Sequence, residues 1–293
     1  MLFALVSNGS TLTPAHPQVT VPWWSFTKTV LSAAALSLVR DGLFDLEETL
    51  PEGPFTLRQV LRHEAGLADY AELAEYHAAV ARHETPWPAE EMLRRLDATR
   101  LRYTPGDGWR YSNVGYLYVA KLIERLTGLA LEKALNRLVF APLGLSGVRL
   151  AKTPADLQAV NMGTAQAYDP CWVYHGLLVG PLDQAAACLD RLLAGQTLPP
   201  ALLREMHSVR TLGGPITGRP WIAPGYALGL MQGAVEGGLV LSGHTGGGPG
   251  SVIAVYRCGE GDNTASCAVF AEGGAEGAVE AQAVSRLMNA VIQ

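Results

Sequence analysis

Segments typical of β-strands lie at both ends of this 293-residue chain, and helical patterns occupy its middle. Short runs rich in β-branched and apolar residues, bounded by turn residues or glycine, are typical of strands. Two such runs lie near the N-terminus and four lie after about residue 222: LFALV and QVTVPW, then YALGLM, GLVLSG, SVIAVYR and SCAVFAE. This order predicts one sheet that is built from both termini, with a mostly helical region inserted between them.

Helix signals fill the middle of the chain. Thr56 is a candidate N-cap, Pro88 stands at a helix start, and Gly128 is a candidate C-cap after NVGYLYVAKLIERLTG. Apolar residues also recur at helical spacing after Ser25, and the C-terminal segment GAVEAQAVSRLMNAVI has the same periodicity.

These patterns predict an α+β fold with two domains. An antiparallel sheet flanked by helices would form a discontinuous domain from residues 1–55 and 206–293. Residues 56–205 would form the mostly helical domain, with the active site at the interface between the two.

Composition and charge exclude several classes of protein. The chain is 48% hydrophobic and 17% charged, which is typical of a folded globular protein rather than a disordered one. A net charge of -5 without a basic stripe gives no sign of a nucleic-acid or anionic-membrane partner. The apolar runs are shorter than the roughly 20 residues that a membrane span needs. Because MLFALVSNGS lacks the features of a signal peptide, we expect a cytoplasmic protein, or a periplasmic one if a leader has been removed.

Several familiar site motifs are missing. The chain has no G-x-S-x-G elbow, HEAGL at His63 stops short of H-E-x-x-H, and HTGGGPG is not followed by G-K-[ST]. The four cysteines show neither C-x-x-C nor zinc-type spacing, so we expect no metal and no cofactor. Cys258 and Cys267 flank the predicted turn GEGDNTAS; we favour reduced thiols there, with a bridge as the alternative.

Ser25 and Lys28, in WWSFTKTV, form the first candidate catalytic element. Residues three apart lie on one face of a helix, so the hydroxyl and the amine would be neighbours. A serine becomes nucleophilic when a base takes its proton, and burial among apolar side chains lowers the pKa of a lysine enough for that task. The alternative is a helix-start serine beside a lysine that reaches the surface.

The second and third elements are Tyr111-Ser112-Asn113 and His244-Thr245-Gly246-Gly247. A tyrosine beside a cationic lysine has a lowered pKa, so its phenolate would accept the proton of a serine, and the Asn113 amide would bond a substrate carbonyl. The alternatives are a packed aromatic and a helix cap.

The His244 segment would orient a substrate at a strand edge. There, the backbone N–H groups of Gly247 and Ser25 would stabilise an oxyanion. Here the alternatives are a turn glycine run and a surface histidine.

Taken in this order, the three elements resemble the serine β-lactamase and penicillin-binding-protein family, in its class C β-lactamase, DD-peptidase and esterase branch. That branch carries Ser-x-x-Lys, Tyr-x-Asn and Lys/His-Thr-Gly. FTLRQVLRHEAGLADY, YSNVGYLYVAKLIERLTG, VFAPLGLSGVRL and HTGGGPGSVIAVYR also look like family segments, although Glu64-Ala65 replace the usual Thr-Ser. The resemblance covers nearly the whole chain and implies a β-lactamase/transpeptidase-like fold.

The resemblance implies a role for each site residue. Ser25 would be the acylated nucleophile, with Lys28 and Tyr111 handling protons. Asn113 would contact the substrate carbonyl. His244, Thr245 and Gly246 would orient the substrate, and the N–H groups of Ser25 and Gly247 would form the oxyanion hole.

Two departures from the family pattern bear on the substrate. His244 stands where class C β-lactamases carry a lysine, and an ordinary histidine is mostly neutral at pH 7. A leading helix is also missing before Ser25. We therefore expect an esterase or an amidase/peptidase, with a β-lactamase, a D-Ala-D-Ala carboxypeptidase or a non-hydrolysing penicillin sensor as alternatives. The expected partner is a small ester, amide or β-lactam, with no nucleic acid and no membrane; the oligomeric state is not readable from the sequence.

Overall fold

The computed structural model describes residues 1–12, 19–165, 167–260 and 263–291. Part of the predicted turn between Cys258 and Cys267, and Gln18 at the start of the second predicted strand, lie outside these residues. The strands are β1 (Leu2–Ser7), β2 (Ser10–Thr11), β3 (Thr20–Pro22), β4 (Arg149–Ala151), β5 (Leu177–Pro181), β6 (Arg210–Thr211), β7 (Trp221–Tyr226), β8 (Met231–Val235), β9 (Val240–Gly248), β10 (Ser251–Glu260) and β11 (Asn263–Glu272).

The α-helices are α1 (Thr27–Arg40), α2 (Leu57–Leu61), α3 (Ala74–Ala81), α4 (Ala89–Arg95), α5 (Asn113–Thr127), α6 (Leu131–Leu135), α7 (Leu182–Leu193), α8 (Pro200–Met206) and α9 (Glu276–Val291). Short 3-10 turns cover Trp24–Phe26, Tyr70–Glu72, Pro154–Leu157 and Pro170–Trp172, and a π-helical turn covers Asn136–Phe140. Among the described residues, no helix is long and apolar enough to cross a membrane.

The two ends of the chain share one antiparallel sheet, as predicted. Over the described ranges this sheet has eight strands in the order β2-β1-β11-β10-β9-β8-β7-β6. The first strand pairs with the last, with Leu2 opposite Phe270. Cys258 lies opposite Ala265 and Cys267 lies opposite Tyr256, so the two cysteines do not face each other across the hairpin.

Two strand predictions are wrong in detail. The strand within QVTVPW does not join the large sheet; Val21 of β3 pairs with Gly180 of β5, in a separate sheet of order β3-β5-β4. The sequence pattern does not indicate β5 as a partner strand, because every residue of β5 is buried and apolar and polar residues do not alternate along it. YALGLM is not a strand either. Its central residues connect β7 to β8, and Gly229 has a left-handed φ of 76°.

The predicted helix ends have the expected caps. Thr56 and Gln59 form a reciprocal capping box at the start of α2. Gly128 ends α5 in the left-handed conformation with φ 66°, which glycine adopts without steric penalty. Pro88 precedes α4.

The core has two parts, one on each face of the large sheet. Residues alternate between the faces of a strand, so Ile253 and Val255 of β10 join the cluster that includes α1, α5 and α7. Ala254 and Tyr256 join the cluster that includes α9. Every residue of α1 from Thr27 to Leu38 is buried. Such a helix, enclosed on all sides, gives any polar side chain that it carries a desolvated environment.

This packing predicts a large difference between two isoleucines of the sheet. Ile253 is 0% exposed, whereas Ile222 is 48% exposed. Ile253→Ala should lower the free energy of unfolding by about 2–5 kcal/mol because it leaves a cavity, and Ile222→Ala should change it by less than about 0.5 kcal/mol. Urea unfolding measures both values, and similar losses in the two variants would contradict the assignment of Ile253 to the core.

Candidate active site

Ser25 lies in the short 3-10 turn that leads directly into α1. Trp24, the residue before it, has a left-handed φ of 41°, a conformation that is unfavourable for a bulky side chain and needs support from its surroundings. Two contacts give that support. The Trp24 indole N–H donates to Ser251 Oγ at 3.0 Å, and its ring packs edge-on against Tyr168. These two contacts fix the Trp24 side chain and so support the backbone conformation just before Ser25.

Lys28 lies one turn into the helix and its side chain is 0% exposed, which rules out the alternative of a lysine that reaches the surface. Its Nζ donates to Ser25 Oγ at 3.2 Å. On its other side, Nζ contacts His175 Nε2 at 3.2 Å and lies 4.9 Å from the centre of the Tyr111 ring. The predicted Ser25–Lys28 pair is thus brought together inside the protein.

Burial lowers the pKa of Lys28 to about 7, while the negative charge of Asp69 opposes this shift and raises the pKa. A buried ammonium is unfavourable because it loses its hydration, so the neutral amine is favoured. An amine with a pKa near 7 is neutral in about half of the molecules at neutral pH, and it can then accept the proton of Ser25.

Tyr111 contacts the same serine. Its hydroxyl donates to Ser25 Oγ at 2.9 Å. Burial raises the pKa of Tyr111 well above its ordinary value, and the charge of Asp69 adds to the rise, although the hydrogen bond to Ser25 opposes it. This rise is opposite to the lowered pKa that the sequence analysis expected beside a cationic lysine, and it favours the protonated phenol at neutral pH.

Asn113 begins α5 and is bound to Asp69. Its Nδ2 donates to Asp69 Oδ1 at 3.0 Å and to Oδ2 at 3.1 Å. An amide NH2 carries two N–H donors, and both of these contacts lie in the direction of one carboxylate, so a second N–H of Asn113 is not used by Asp69. The contact between Asn113 and a substrate carbonyl stays a prediction.

His244 is buried on β9, with both ring nitrogens in hydrogen bonds. Nδ1 donates to the Thr245 carbonyl at 2.7 Å, and Nε2 accepts from the Tyr226 hydroxyl at 2.9 Å. Burial, together with the nearby charge of Lys28, lowers the pKa of His244 to about 3. The ring is therefore neutral at neutral pH and supplies no fixed positive charge.

Thr245 faces the other side of the sheet. Its hydroxyl contacts the Tyr256 hydroxyl at 2.6 Å and donates to Glu280 of α9, which is 0% exposed. Neighbouring residues of a strand point to opposite faces, so the Thr245 hydroxyl cannot point toward Ser25 together with His244. The expectation that this hydroxyl orients the substrate is corrected; it anchors β9 to α9 instead.

Gly246 and Gly247 bring the backbone of β9 close to the nucleophile. A Cβ atom on Gly246 would lie 2.6 Å from the backbone nitrogen of Ser25. No side chain fits in that space, so the strand passes directly beside the first turn of the helix. Gly247 is the next residue of β9. It lies beyond Gly243, which is the last β9 residue that pairs with β8 in the described part of the chain.

Two site residues were not predicted from the sequence. His175 contacts Lys28, and its other ring nitrogen, Nδ1, is buried without a hydrogen-bond partner in the described part of the chain. Asp69 holds Asn113 and raises the pKa of Lys28. Both lie in segments that drew attention for other reasons, DPCWVYHG and HEAGLADY, but no local spacing links either residue to Ser25.

His63 packs against Tyr111 and the start of α5. Its Nδ1 accepts from the Ser112 backbone N–H at 3.1 Å, and its ring lies 4.3 Å from that of Tyr111. The described residues contain no cluster of three or more His, Cys, Asp or Glu side chains arranged to hold a metal ion. Trp172 packs between Tyr76 and Trp87 and is 1% exposed, so it is a core residue.

The pKa of Lys28 predicts how activity depends on pH. With the neutral amine of Lys28 as the expected base, kcat/KM should rise with pH and level off above about pH 7. Below that value the rate should fall about tenfold for each pH unit, as the amine becomes protonated. A profile measured with a non-ionising ester tests this; a rate that stays constant from pH 5 to 8 would contradict the role of Lys28.

His175 is expected to position Lys28. His175→Ala should lower kcat by about 10- to 100-fold because Nζ loses a buried hydrogen-bond partner. His175→Gln keeps a hydrogen-bonding group and should recover part of the loss. The matched control is His77→Ala, which removes an exposed histidine that contacts only a backbone carbonyl among its described hydrogen bonds. Equal rates for His175→Ala and this control would refute the positioning role.

Comparison with known proteins identifies the family of this chain. A family profile described as Beta-lactamase matches residues 1–270. A D-aminopeptidase from Brucella anthropi is 27% identical over 269 residues, which cover 85% of this chain and 48% of the relative. A lovastatin esterase from Penicillium rubens is 26% identical over 42% of this chain and 37% of its own length. The chain thus spans about half or less of these relatives.

A solved structure shows the same fold. The D-amino acid amidase from Ochrobactrum anthropi SV3 superposes with a TM-score of 0.79 at 22% identity, covering 99% of this chain and 94% of that chain. This likeness confirms the predicted α+β fold of the β-lactamase/transpeptidase type.

Proposed function

Because the chain belongs to the beta-lactamase family, we propose that it is a serine hydrolase that cleaves small esters or amides through an acyl-enzyme on Ser25. One observation carries the proposal: the Ser25 hydroxyl is contacted at once by Lys28 Nζ at 3.2 Å and by the Tyr111 hydroxyl at 2.9 Å. A serine needs a base beside it to become a nucleophile, and a buried lysine with a lowered pKa meets that need.

In the acylation step, neutral Lys28 takes the proton of Ser25 as Oγ attacks the substrate carbonyl carbon. The carbonyl oxygen becomes negative and is stabilised by backbone N–H groups, for which Ser25 and Gly247 are our candidates. Ser25 lies in the first turn of a helix, where backbone N–H groups lack an intrahelical acceptor.

The leaving group receives its proton from Tyr111. As the bond between the carbonyl carbon and the leaving group breaks, the Tyr111 hydroxyl donates to the departing oxygen or nitrogen and regains a proton from Lys28. The raised pKa of Tyr111 suits this relay, because the phenol holds its proton until the leaving group takes it. Water then attacks the acyl-enzyme, with the same groups working in reverse to release the acid and restore Ser25.

The neutrality of His244 favours esters and amides over β-lactams and D-Ala-D-Ala peptides. Those two substrate classes carry a carboxylate, which a fixed cation would bind. Both nitrogens of His244 are already hydrogen-bonded, and the pKa of its ring is about 3. The relatives named as D-aminopeptidase, esterase and D-amino acid amidase support the same choice.

The site draws on three parts of the chain. Ser25 and Lys28 come from the N-terminal part, Tyr111 and Asn113 from the middle, and Gly246 from the C-terminal part. This origin supports the division into a sheet domain of residues 1–55 and 206–293 and a helical domain of residues 56–205, which we retain as part of the proposal. A cytoplasmic location also remains a prediction.

Loss of the nucleophile tests the proposed function directly. Ser25→Ala should lower the hydrolysis of short-chain p-nitrophenyl esters by about 10³-fold or more, because no acyl-enzyme can form. Ser37→Ala, which removes a buried hydroxyl that donates only to the Ala33 carbonyl of the same helix, is the matched control and should keep its activity. Ester hydrolysis that survives in Ser25→Ala would disprove the assignment.

Intact-mass measurement separates hydrolysis from sensing. The acyl group of a short-chain ester should appear on Ser25 only transiently, since deacylation restores the serine. A stable penicillin adduct on Ser25, combined with no ester turnover, would instead indicate a penicillin-binding sensor.

A further inference from the structure

Glu280 of α9 is a buried carboxylate that accepts hydrogen bonds from three other side chains. It is 0% exposed. Its oxygens accept from Arg219 Nε at 2.7 Å, from the Tyr256 hydroxyl at 3.2 Å and from the Thr245 hydroxyl. A buried charge is tolerated when it is paired with a cation and hydrogen-bonded, and Glu280 meets both conditions. The fold therefore holds this carboxylate in one place.

Arg219 also fixes the start of α9. Its Nη1 pairs with Glu276, the first residue of α9, at 2.8 Å. A Cβ atom on Gly277 would overlap the carbonyl oxygen of Gly218, so the first turn of the helix packs directly on the turn that carries Arg219. The position of Glu280 relative to the sheet is thus set by an ion pair and by backbone packing together.

The part of β9 beside the nucleophile has few side chains to hold it. Thr245 is followed by three glycines, at positions 246–248. Within the described residues the pairing of β9 with β8 ends at Gly243, and the segment 245–248 pairs with β10 alone. Glycine loses more conformational freedom on folding than any other residue. The bond between the Thr245 hydroxyl and α9 is therefore the side-chain attachment of this segment.

The two faces of the segment have different neighbours. A Cβ atom on Gly246 would lie 2.6 Å from the backbone nitrogen of Ser25, whereas one on Gly247 would lie 3.1 Å from Glu276 Oε1. Thr245 and Gly247 thus face α9, and Gly246 between them faces the nucleophile. A shift of this segment toward or away from α9 therefore changes the distance between the strand and Ser25.

We propose that Glu280 is a positioning residue of the hydrolase: through the Thr245 hydroxyl, it fixes segment 245–248 at the distance from Ser25 at which backbone N–H groups stabilise the oxyanion. This inference rests on the proposed function of Ser25. It assigns a role in catalysis to a side chain on the opposite face of the sheet, which acts through Thr245 and β9 and does not touch the substrate.

The proposed role has a kinetic signature. The oxyanion forms in the transition states of acylation and of deacylation, so its stabilisation lowers the barrier of whichever step limits the rate. A misplaced N–H donor therefore lowers kcat and leaves the binding of the uncharged ground-state ester nearly unchanged. A misplacement of 1 Å is enough to cost about 100-fold in rate.

The chain offers a matched contact away from the nucleophile. Asp190 of α7 is 3% exposed and accepts from Ser266 Oγ at 2.9 Å and from Arg257 Nε at 3.4 Å. The chemical groups are the same: a buried helix carboxylate, a strand hydroxyl and a guanidinium. This contact holds α7 against β10 and β11, which carry none of the predicted site residues.

The test removes one hydroxyl from each contact. Thr245→Val, which keeps the shape of the side chain, should lower kcat for a short-chain p-nitrophenyl ester by about 5- to 50-fold and change KM by less than about threefold. Ser266→Ala should keep kcat within about twofold of the unmodified chain. Each variant loses one buried hydrogen bond, so Tm should fall by about 2–10 °C in both.

The conservative variant Thr245→Ser keeps the hydroxyl and should restore kcat to within about threefold of the unmodified chain. Equal values of kcat in Thr245→Val and Ser266→Ala would mean that the contact serves stability alone, and would overturn the positioning role. A raised KM with unchanged kcat in Thr245→Val would mean that the hydroxyl binds the substrate itself, which also overturns it.

A second variant reaches the same contact from the helix. Glu280→Met has a side chain of similar length that accepts no strong hydrogen bond, while Arg219 keeps its pair with Glu276. This variant should lower kcat about as much as Thr245→Val does. Because both changes break one contact, the double variant should lose no more than about twofold beyond the lower single variant. Losses that multiply would show that Thr245 does not act through Glu280.

The two proposals fail in distinguishable ways. If Ser25-dependent ester hydrolysis is absent from the unmodified chain, the proposed function itself fails. If esters are hydrolysed but Thr245→Val and Glu280→Met keep the kcat of the unmodified chain, only the positioning role of Glu280 fails.

Discussion

The burial of one lysine amine beside one serine hydroxyl is the constraint on which the rest of the site depends. Lys28 lies in the part of α1 from Thr27 to Leu38, where every residue is buried, and the loss of hydration brings its pKa down to about 7. An exposed lysine at the same spacing would stay charged and could not accept a proton from Ser25. In the proposed mechanism, the apolar character of α1 therefore contributes to the chemistry as well as to the core.

Opposing effects on Lys28 come from groups that the fold brings to it. Burial lowers the pKa of Lys28 and the charge of Asp69 raises it. The balance leaves the pKa at about 7 instead of a still lower value. The surrounding tyrosines and histidines stay neutral because burial disfavours their charged forms, as it does for Tyr111 and His244. The site thus contains many ionisable side chains but few charges, and each remaining charge has a large effect in this poorly hydrated environment.

Consecutive residues of strand β9 make contacts on both faces of the sheet. His244 and Gly246 face the nucleophile, where glycine lets the backbone pass within van der Waals distance of the first helical turn. Thr245, between them, bonds to Glu280 and Tyr256 on the opposite face. The alternation of side chains along a strand explains how three consecutive residues can combine close approach to Ser25 with attachment to α9.

The sequence by itself determined what depends on local spacing and chain order. A spacing of three positions in a helical turn places Lys28 beside Ser25. The β-rich ends of the chain predict the shared sheet. The order of the three motifs indicates the family. Only the tertiary structure decided the rest. Asp69 and His175 reach the site from distant loops, and His175 is 147 positions after Lys28 in the chain. The protonation of Tyr111 and His244 depends on burial. Long-range contacts and desolvation arise from the packed chain, so no local pattern could specify them.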